Sequence, residues 1–88
     1  SSSNLFGEKR VTVVVSNTED GQVKLSTRGT EYLVAKGLNL GRILQELCEQ
    51  YGGNGGGHTI AAGATVDLAV LDKYLQEFSN RVQAIAAG

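Results

Sequence analysis

Two short segments near the start of the chain alternate between apolar and polar positions, which is the two-residue period of a β-strand. The first covers residues 9–17 and the second covers residues 22–28. The apolar positions that point to one face of these strands are Val11, Val13, Val15, Val23 and Leu25. Residues 18–21 end in Asp-Gly, which favours a tight hairpin turn because Gly adopts positive φ at little cost. The pattern predicts an antiparallel pair of strands.

From residue 39 onward the apolar positions recur every three or four residues, which is typical of a helix with one buried face. The first stripe consists of Leu40, Ile43, Leu44, Leu47, Cys48 and Tyr51. Asn39 is a natural N-cap for this helix, and Gly52 ends it. The second stripe consists of Leu71, Tyr74, Leu75, Phe78, Val82 and Ile85. It predicts a final helix capped by Asp67.

Between these regular segments the pattern is weaker. Residues 59–66 are small and β-branched, which favours a third strand. Residues 29–38 fit either a short helix that Thr30 caps and Gly37 ends, or a loop with one helical turn. The element order is then β-β-α-β-α. We expect an α+β fold, a small two-layer domain in which helices pack on a mixed sheet.

Composition narrows the possibilities further. With 88 residues, 12 of them Gly, the chain has room for one domain with a single modest core. Eight basic and nine acidic residues give a net charge of −1, which excludes the strong basic field of a dedicated nucleic-acid binder but not individual phosphate contacts. The single Cys48 allows no internal disulfide and favours a reducing, cytoplasmic setting. No apolar run approaches the length of a membrane span.

The first residues carry little structural signal. The chain begins Ser-Ser-Ser-Asn and contains no Met at all. We expect residues 1–8 to be a disordered tail or a vector remnant, and residues 9–88 to be a domain taken from a longer protein. Function would then be divided between this chain and another part of its parent.

The strongest chemical signal is a run of glycines. Residues 52–57 read Gly-Gly-Asn-Gly-Gly-Gly, and His58 follows directly. Such a loop at one end of the sheet lets backbone N–H groups converge on a phosphate, and it equally suits a structural tight turn. The P-loop pattern is not met, because His58 stands where Lys belongs and the segment follows a helix rather than a strand. Both interpretations therefore remain.

Arg28 is a second candidate because it ends the second predicted strand. Its guanidinium fork suits a phosphate, and Lys24 and Ser26 occupy the same strand face. Arg42, in the first turn of the first long helix, is either an addition to this group or a solvated surface residue. The sequence offers no second His, no cluster of Cys and carboxylates, and no nucleophile–base pair. We expect neither catalysis nor metal binding by this chain.

Residues 52–63 resemble the GGGH-x-x-AAG signature of the C-terminal DHH-associated domain of the DHH phosphoesterase superfamily. The Ser-Thr-Arg-Gly segment at 26–29 is similar to the family's strand-end Arg segment, and residues 39–44 are similar to its helix start. The superfamily includes RecJ-like single-strand exonucleases, nano-RNA phosphodiesterases and cyclic dinucleotide phosphodiesterases. Thr59 departs from the Pro that many members carry after the motif His.

The resemblance implies the substrate-binding half of a two-domain hydrolase. Arg28, Gly55, Gly56, Gly57 and His58 would hold the phosphate or sugar of single-stranded DNA, short RNA or a nucleotide. The metal ions, usually manganese, would belong to the N-terminal catalytic domain of the same parent protein, so this chain alone is expected to be inactive.

Two alternatives remain beside this one. The first is a structural or oligomerisation domain in which the glycine loop is a packing turn. The second is an editing-related domain that binds tRNA, although the chain lacks the Cys and His metal ligands that an editing site would need.

Overall fold

The computed structural model describes residues 11–17 and 20–87. Its strands are β1 (Thr12–Asn17), β2 (Gln22–Arg28), β3 (Asn54–Gly57) and β4 (Ala61–Asp67). Its helices are α1 (Glu31–Ala35), α2 (Leu40–Tyr51) and α3 (Leu71–Ala87), with a 3₁₀ turn (Leu68–Val70) before α3. The predicted tail, residues 1–8, lies outside the described residues, as do the first two residues of the first predicted strand.

The four strands form one sheet in the order β1-β2-β4-β3, and every neighbouring pair is antiparallel. The expected α+β class and the two-layer arrangement are confirmed, but the sheet is antiparallel throughout rather than mixed. The reason is that the glycine segment is itself a strand. A strand–helix–strand connection commonly produces parallel neighbours. Here β3 intervenes and turns back through residues 58–60, so that β4 runs against β2.

The local sequence predicts the β1–β2 hairpin well and the β3–β4 hairpin poorly. At the β1–β2 turn, Asp20 and Gly21 both have positive φ, at 69° and 72°, as the Asp-Gly pair predicts. Residues 58–60 form the turn between β3 and β4. The predicted third strand, residues 59–66, therefore begins two residues later than expected, at Ala61. The glycine segment therefore lies along one edge of the sheet as β3 and is not a loop at its end.

Alternation along the two central strands creates one buried and one open sheet face. Val23, Leu25 and Thr27 of β2 are buried, whereas the residues between them are exposed. The helices cover the buried face with Leu40, Leu44, Leu47, Tyr74 and Phe78. Because both long helices contribute to this single core, the opposite face of the sheet carries no helix in the described part of the chain.

Two of the three residues that the sequence pattern indicated as N-caps make the capping hydrogen bond. Thr30 Oγ1 accepts a hydrogen bond from Leu33 N at 3.3 Å, so the short-helix alternative is confirmed for residues 31–35. Asn39 Oδ1 accepts one from Arg42 N at 3.1 Å. Asp67 makes no capping hydrogen bond through its side chain, because the 3₁₀ turn lies between it and α3.

A buried polar contact joins the two long helices. The Tyr74 hydroxyl donates to Leu44 O at 3.2 Å and lies 3.3 Å from Cys48 Sγ. Burial, and then the contact with Cys48, raises the pKa of the Tyr74 phenol. Cys48 is therefore a core residue, as its place on the apolar stripe predicted.

Candidate functional site

The turn between β3 and β4 is attached to two other elements by backbone hydrogen bonds. They run from Gly29 N to Ile60 O (2.8 Å), from Leu40 N to Thr59 O (2.9 Å) and from Gly41 N to His58 O (3.0 Å). A further bond, from His58 N to Ala61 O at 2.7 Å, closes the turn itself. Because Gly29 directly follows Arg28, these bonds bring the strand end that carries Arg28 beside the turn that carries His58.

Close packing accounts for three glycines around this turn. A methyl group on Gly41 of α2 would overlap the carbonyl oxygen of Gly57 and lie 2.7 Å from its carbonyl carbon. A methyl group on Gly55 would lie 2.9 Å from Cys48 Sγ. Gly57, at φ 147°, is as close to the backbone of β4. Helix α2 therefore lies against β3 at a distance that only glycine permits.

Gly56 and Gly63 differ from the glycines above, because they lie on the open face of the sheet. They are partners in the β3–β4 register. A methyl group on Gly56 would meet no atom within 4 Å, although its φ of 154° also favours glycine. A methyl group on Gly63 would be 3.1 Å from Leu25 O. Together they leave a stretch of bare backbone on which a ligand can approach the sheet closely.

A shallow groove of about 510 Å³ lies on the open face and reaches this bare stretch at Gly63. Its lining includes Thr12, Val14, Ser26, Arg28, Ala61 and Gly63. Arg28 pairs with Thr12 on one side and Ala61 on the other in the strand register. The groove thus combines a guanidinium and two hydroxyl groups, which are donors suited to an anionic ligand.

The open face of the sheet carries a small excess of positive charge, although the chain as a whole has a net charge of −1. Lys24 and Arg28 are exposed on the open face, and neither takes part in an ion pair within the described residues. The helix layer carries five acidic side chains and four basic ones, so it is close to neutral: Glu31, Glu46, Glu49, Asp72 and Glu77 against Lys36, Arg42, Lys73 and Arg81. On the open face the only described acid is Asp67, at the far end of β4. The described residues of this face therefore carry two cations and one carboxylate, a balance of +1.

Arg42 is not brought together with Arg28. Its Nε lies 3.2 Å from Glu46 Oε2, and Glu46 Oε1 also accepts from Arg81 Nη1 at 2.7 Å. Hydrogen bonds from Arg81 and then Arg42 hold the pKa of the Glu46 carboxyl below its usual value. Arg42 thus belongs to an ion-pair network in the helix layer, on the side of the sheet opposite the groove.

Three further features of the described residues bear on chemistry. His58 is exposed at the turn, where its ring is accessible for hydrogen bonding. No three His, Cys, Asp or Glu side chains in residues 11–17 and 20–87 are grouped so that they could hold a metal ion. No helix in the same ranges has the length and apolar character needed to cross a membrane.

Comparison with known proteins identifies the kind of domain. The DHHA1 domain family matches residues 3–85. An uncharacterized protein of Methanocaldococcus jannaschii, MJ0831, is 42% identical over 73 residues, which cover 83% of this chain and 16% of that protein. The alanine–tRNA ligase of Myxococcus xanthus is 28% identical over 74 residues, which cover 83% of this chain and 8% of the ligase. The chain therefore spans a small part of these relatives, and it belongs to the DHHA1 family, the DHH-associated domain of the DHH phosphoesterase superfamily.

Proposed function

We propose that this domain binds the phosphate–sugar backbone of single-stranded or short nucleic acid on the open face of its sheet. Arg28 is the principal contact, and Ser26 and the turn at His58 complete the site. The observation that carries this proposal is the position of Arg28: an exposed guanidinium, without an ion-pair partner in the described residues, that lines a groove together with Ser26 and Gly63. A guanidinium can donate two parallel hydrogen bonds to one phosphate.

The glycines have two roles in this proposal. Gly55 and Gly57 let β3 lie against α2 and β4, and so fix the turn in place. Gly56 faces open space on the groove side of the sheet. Its backbone, and the N–H groups near the turn, are the parts of the glycine segment that a ligand phosphate or sugar would contact.

Binding by this domain alone should be weak and salt-dependent. The open face offers few cations, so few phosphates are neutralised and few counterions released. For single strands, log K falls with log salt by about 0.7 for each phosphate contacted. We expect a slope between about 0.7 and 1.5, far below that of a dedicated basic binder.

Ester hydrolysis is assigned to another part of the parent protein. We propose that an N-terminal DHH domain in the same parent holds the metal ions, manganese by family resemblance, and cuts the substrate that this domain positions. The much greater length of both relatives is consistent with further domains beside a DHHA1 domain. With added manganese, the isolated chain should release no product from a labelled oligonucleotide.

A pair of arginine variants tests the binding proposal. Arg28→Ala should weaken binding of a 5′-phosphorylated tetranucleotide by at least about tenfold, which is the size of a lost charge-assisted hydrogen bond. Arg42→Ala removes the same charge from the helix layer and should leave binding unchanged. Equal losses in the two variants would show that only net charge matters, and no loss in either would refute the site.

The packing alternative makes a different prediction for the same residues. Suppose that the glycine segment serves only the fold. Arg28→Ala and His58→Ala should then leave ligand affinity unchanged, and any effect they have should be a lower melting temperature. If our proposal holds, both variants melt like the wild type and bind less. Both side chains are exposed, which is why we expect unchanged melting.

The similarity to an alanine–tRNA ligase favours tRNA as a second candidate ligand. The same cations would then contact the backbone of a folded RNA rather than a free strand. Competition separates the two: unmodified tRNA should displace a labelled tetranucleotide poorly under our proposal. If tRNA displaces the labelled ligand at much lower concentrations than unlabelled tetranucleotide does, the tRNA alternative is favoured.

A further inference from the structure

We propose that Lys24 forms a second phosphate contact on the open face, so that the site is a track along β2 that takes a strand of several nucleotides. This inference rests on the proposed function and concerns how much of the ligand the domain contacts. The observation behind it is that Lys24, the second exposed cation of the open face, does not line the groove at Arg28.

The strand period places Lys24 in line with Arg28. Both are exposed residues of β2, four positions apart, so their side chains leave the same face of the sheet. At about 3.3 Å per residue, their Cα atoms are about 13 Å apart. Ser26 lies midway between them, and its partners in the register are Val14 and Gly63. The bare backbone at Gly63 thus connects the two cations.

The surroundings of Lys24 suit an anion. Its partners in the register are Ser16 on β1 and Thr65 on β4, so a hydroxyl group lies on either side. No ion pair between described residues includes Lys24. The next row along the strands pairs Gln22 with Asp67, whose exposed carboxylate would repel a further phosphate. The track therefore begins at Arg28 and ends at Lys24.

Its length predicts how affinity depends on the ligand. One strand of duplex DNA advances about 3.4 Å along the helix axis per nucleotide, and we take the same rise for a stacked single strand. The Cα separation of about 13 Å corresponds to about four such steps. The three steps between the first and last phosphates of a 5′-phosphorylated tetranucleotide span about 10 Å, and the long side chains of Arg28 and Lys24 can bend toward each other to cover the difference. Arg28 and Lys24 therefore contact phosphates that are not adjacent. A mononucleotide held at Arg28 leaves Lys24 without a partner, whereas a tetranucleotide reaches both. Lys24 should matter only for the longer ligand.

NMR titration with two ligands tests this directly, because it measures millimolar as well as micromolar affinities. The ligands are adenosine 5′-monophosphate and 5′-phosphorylated tetraadenylate. Lys24→Ala should weaken tetranucleotide binding about two- to fivefold at low salt, the size of an exposed ion pair, and leave mononucleotide binding unchanged. It should also lower the salt slope for the tetranucleotide by about 0.7. Lys73→Ala, which removes an exposed lysine from α3, is the matched control and should change neither.

The outcomes separate this inference from the proposed function. If Arg28→Ala weakens both ligands and Lys24→Ala weakens neither, the track is wrong and the phosphate site at Arg28 stands. If Lys24→Ala weakens both ligands equally, the two cations share one phosphate, which also overturns the track. If Arg28→Ala weakens neither ligand, the proposed function itself fails.

Discussion

Replacement of Gly41 by Ala tests the contact that holds the site together. Gly41 lies in the first turn of α2, and its N–H donates to His58 O in the β3–β4 turn at 3.0 Å. Helix propensity alone predicts that Ala stabilises this position by up to about 1 kcal/mol. The structure predicts the opposite sign, because the new methyl group would overlap the backbone of Gly57.

The size of the loss follows from what must move. The methyl group would lie 2.7 Å from the carbonyl carbon of Gly57 and 3.1 Å from its nitrogen, and backbone cannot rotate away as a side chain can. Overpacking of this kind costs about 1–3 kcal/mol. Separating α2 from the turn also weakens the two hydrogen bonds that Leu40 N and Gly41 N donate, at about 1 kcal/mol each. After the propensity gain is subtracted, we expect a net loss of about 2–4 kcal/mol.

Urea unfolding followed by circular dichroism measures this change. The control is Gln45→Ala, an exposed position on the same helix, which should shift the free energy of unfolding by less than about 0.5 kcal/mol. Gly41→Ala should unfold at distinctly lower urea with an unchanged slope. If Gly41→Ala is as stable as the wild type or more so, α2 does not lie against β3 as described, and the arrangement of the site is wrong.

Two further variants probe the contacts between the helices through the pH dependence of stability. Because the pKa of Tyr74 is raised in the fold, its contribution to stability is complete below its ordinary pKa of about 10 and is lost as pH rises above it. Tyr74→Phe should cost about 1 kcal/mol at neutral pH and flatten the decline above pH 10 in urea unfolding; an equally steep decline would contradict this assignment. Because the pKa of Glu46 is lowered, its contribution is complete above its ordinary value of 4.5 and is lost as pH falls through the lowered value. Glu46→Gln should therefore reduce the acid-side loss of stability seen in thermal melts, and an unchanged acid limb would show that the Arg42–Glu46–Arg81 network contributes nothing.

Much of the fold could be predicted because local pattern and tertiary structure agree. The β1–β2 hairpin follows from alternation and an Asp-Gly turn. Helices α2 and α3 follow from stripes of apolar residues at helical spacing, and Thr30 and Asn39 cap as their chemistry predicts. In each case the signal lies within a single continuous segment of the chain.

Strand β3 could not be predicted in this way. Asn-Gly-Gly-Gly has low intrinsic strand propensity, so local pattern predicts a loop. The segment becomes a strand because β4 provides a partner for its backbone and α2 approaches too closely for any side chain at Gly55. These are contacts between residues distant in sequence.

The candidate site was partly predictable for the same reason. The glycine segment, His58 and Arg28 stand out in the sequence, and the structure brings the turn and the strand end together. The positive open face does not stand out, because net charge averages over both layers. The sequence feature that could have indicated this face is the placement of Lys24, Ser26 and Arg28 at alternate positions of β2, all exposed on the same side. Which face the helices leave open is decided by the strand order and the packing of α2 and α3.

The most direct test of the central claim is a ¹H–¹⁵N NMR titration of the domain with a 5′-phosphorylated tetranucleotide. We predict that the largest shifts occur at the end of β2, around residues 26–29, and along residues 56–63, and that the outer surface of α3 remains unchanged. Shifts that concentrate on α2 and α3, or no shifts at millimolar ligand, would contradict the assignment of the open sheet face as the binding surface.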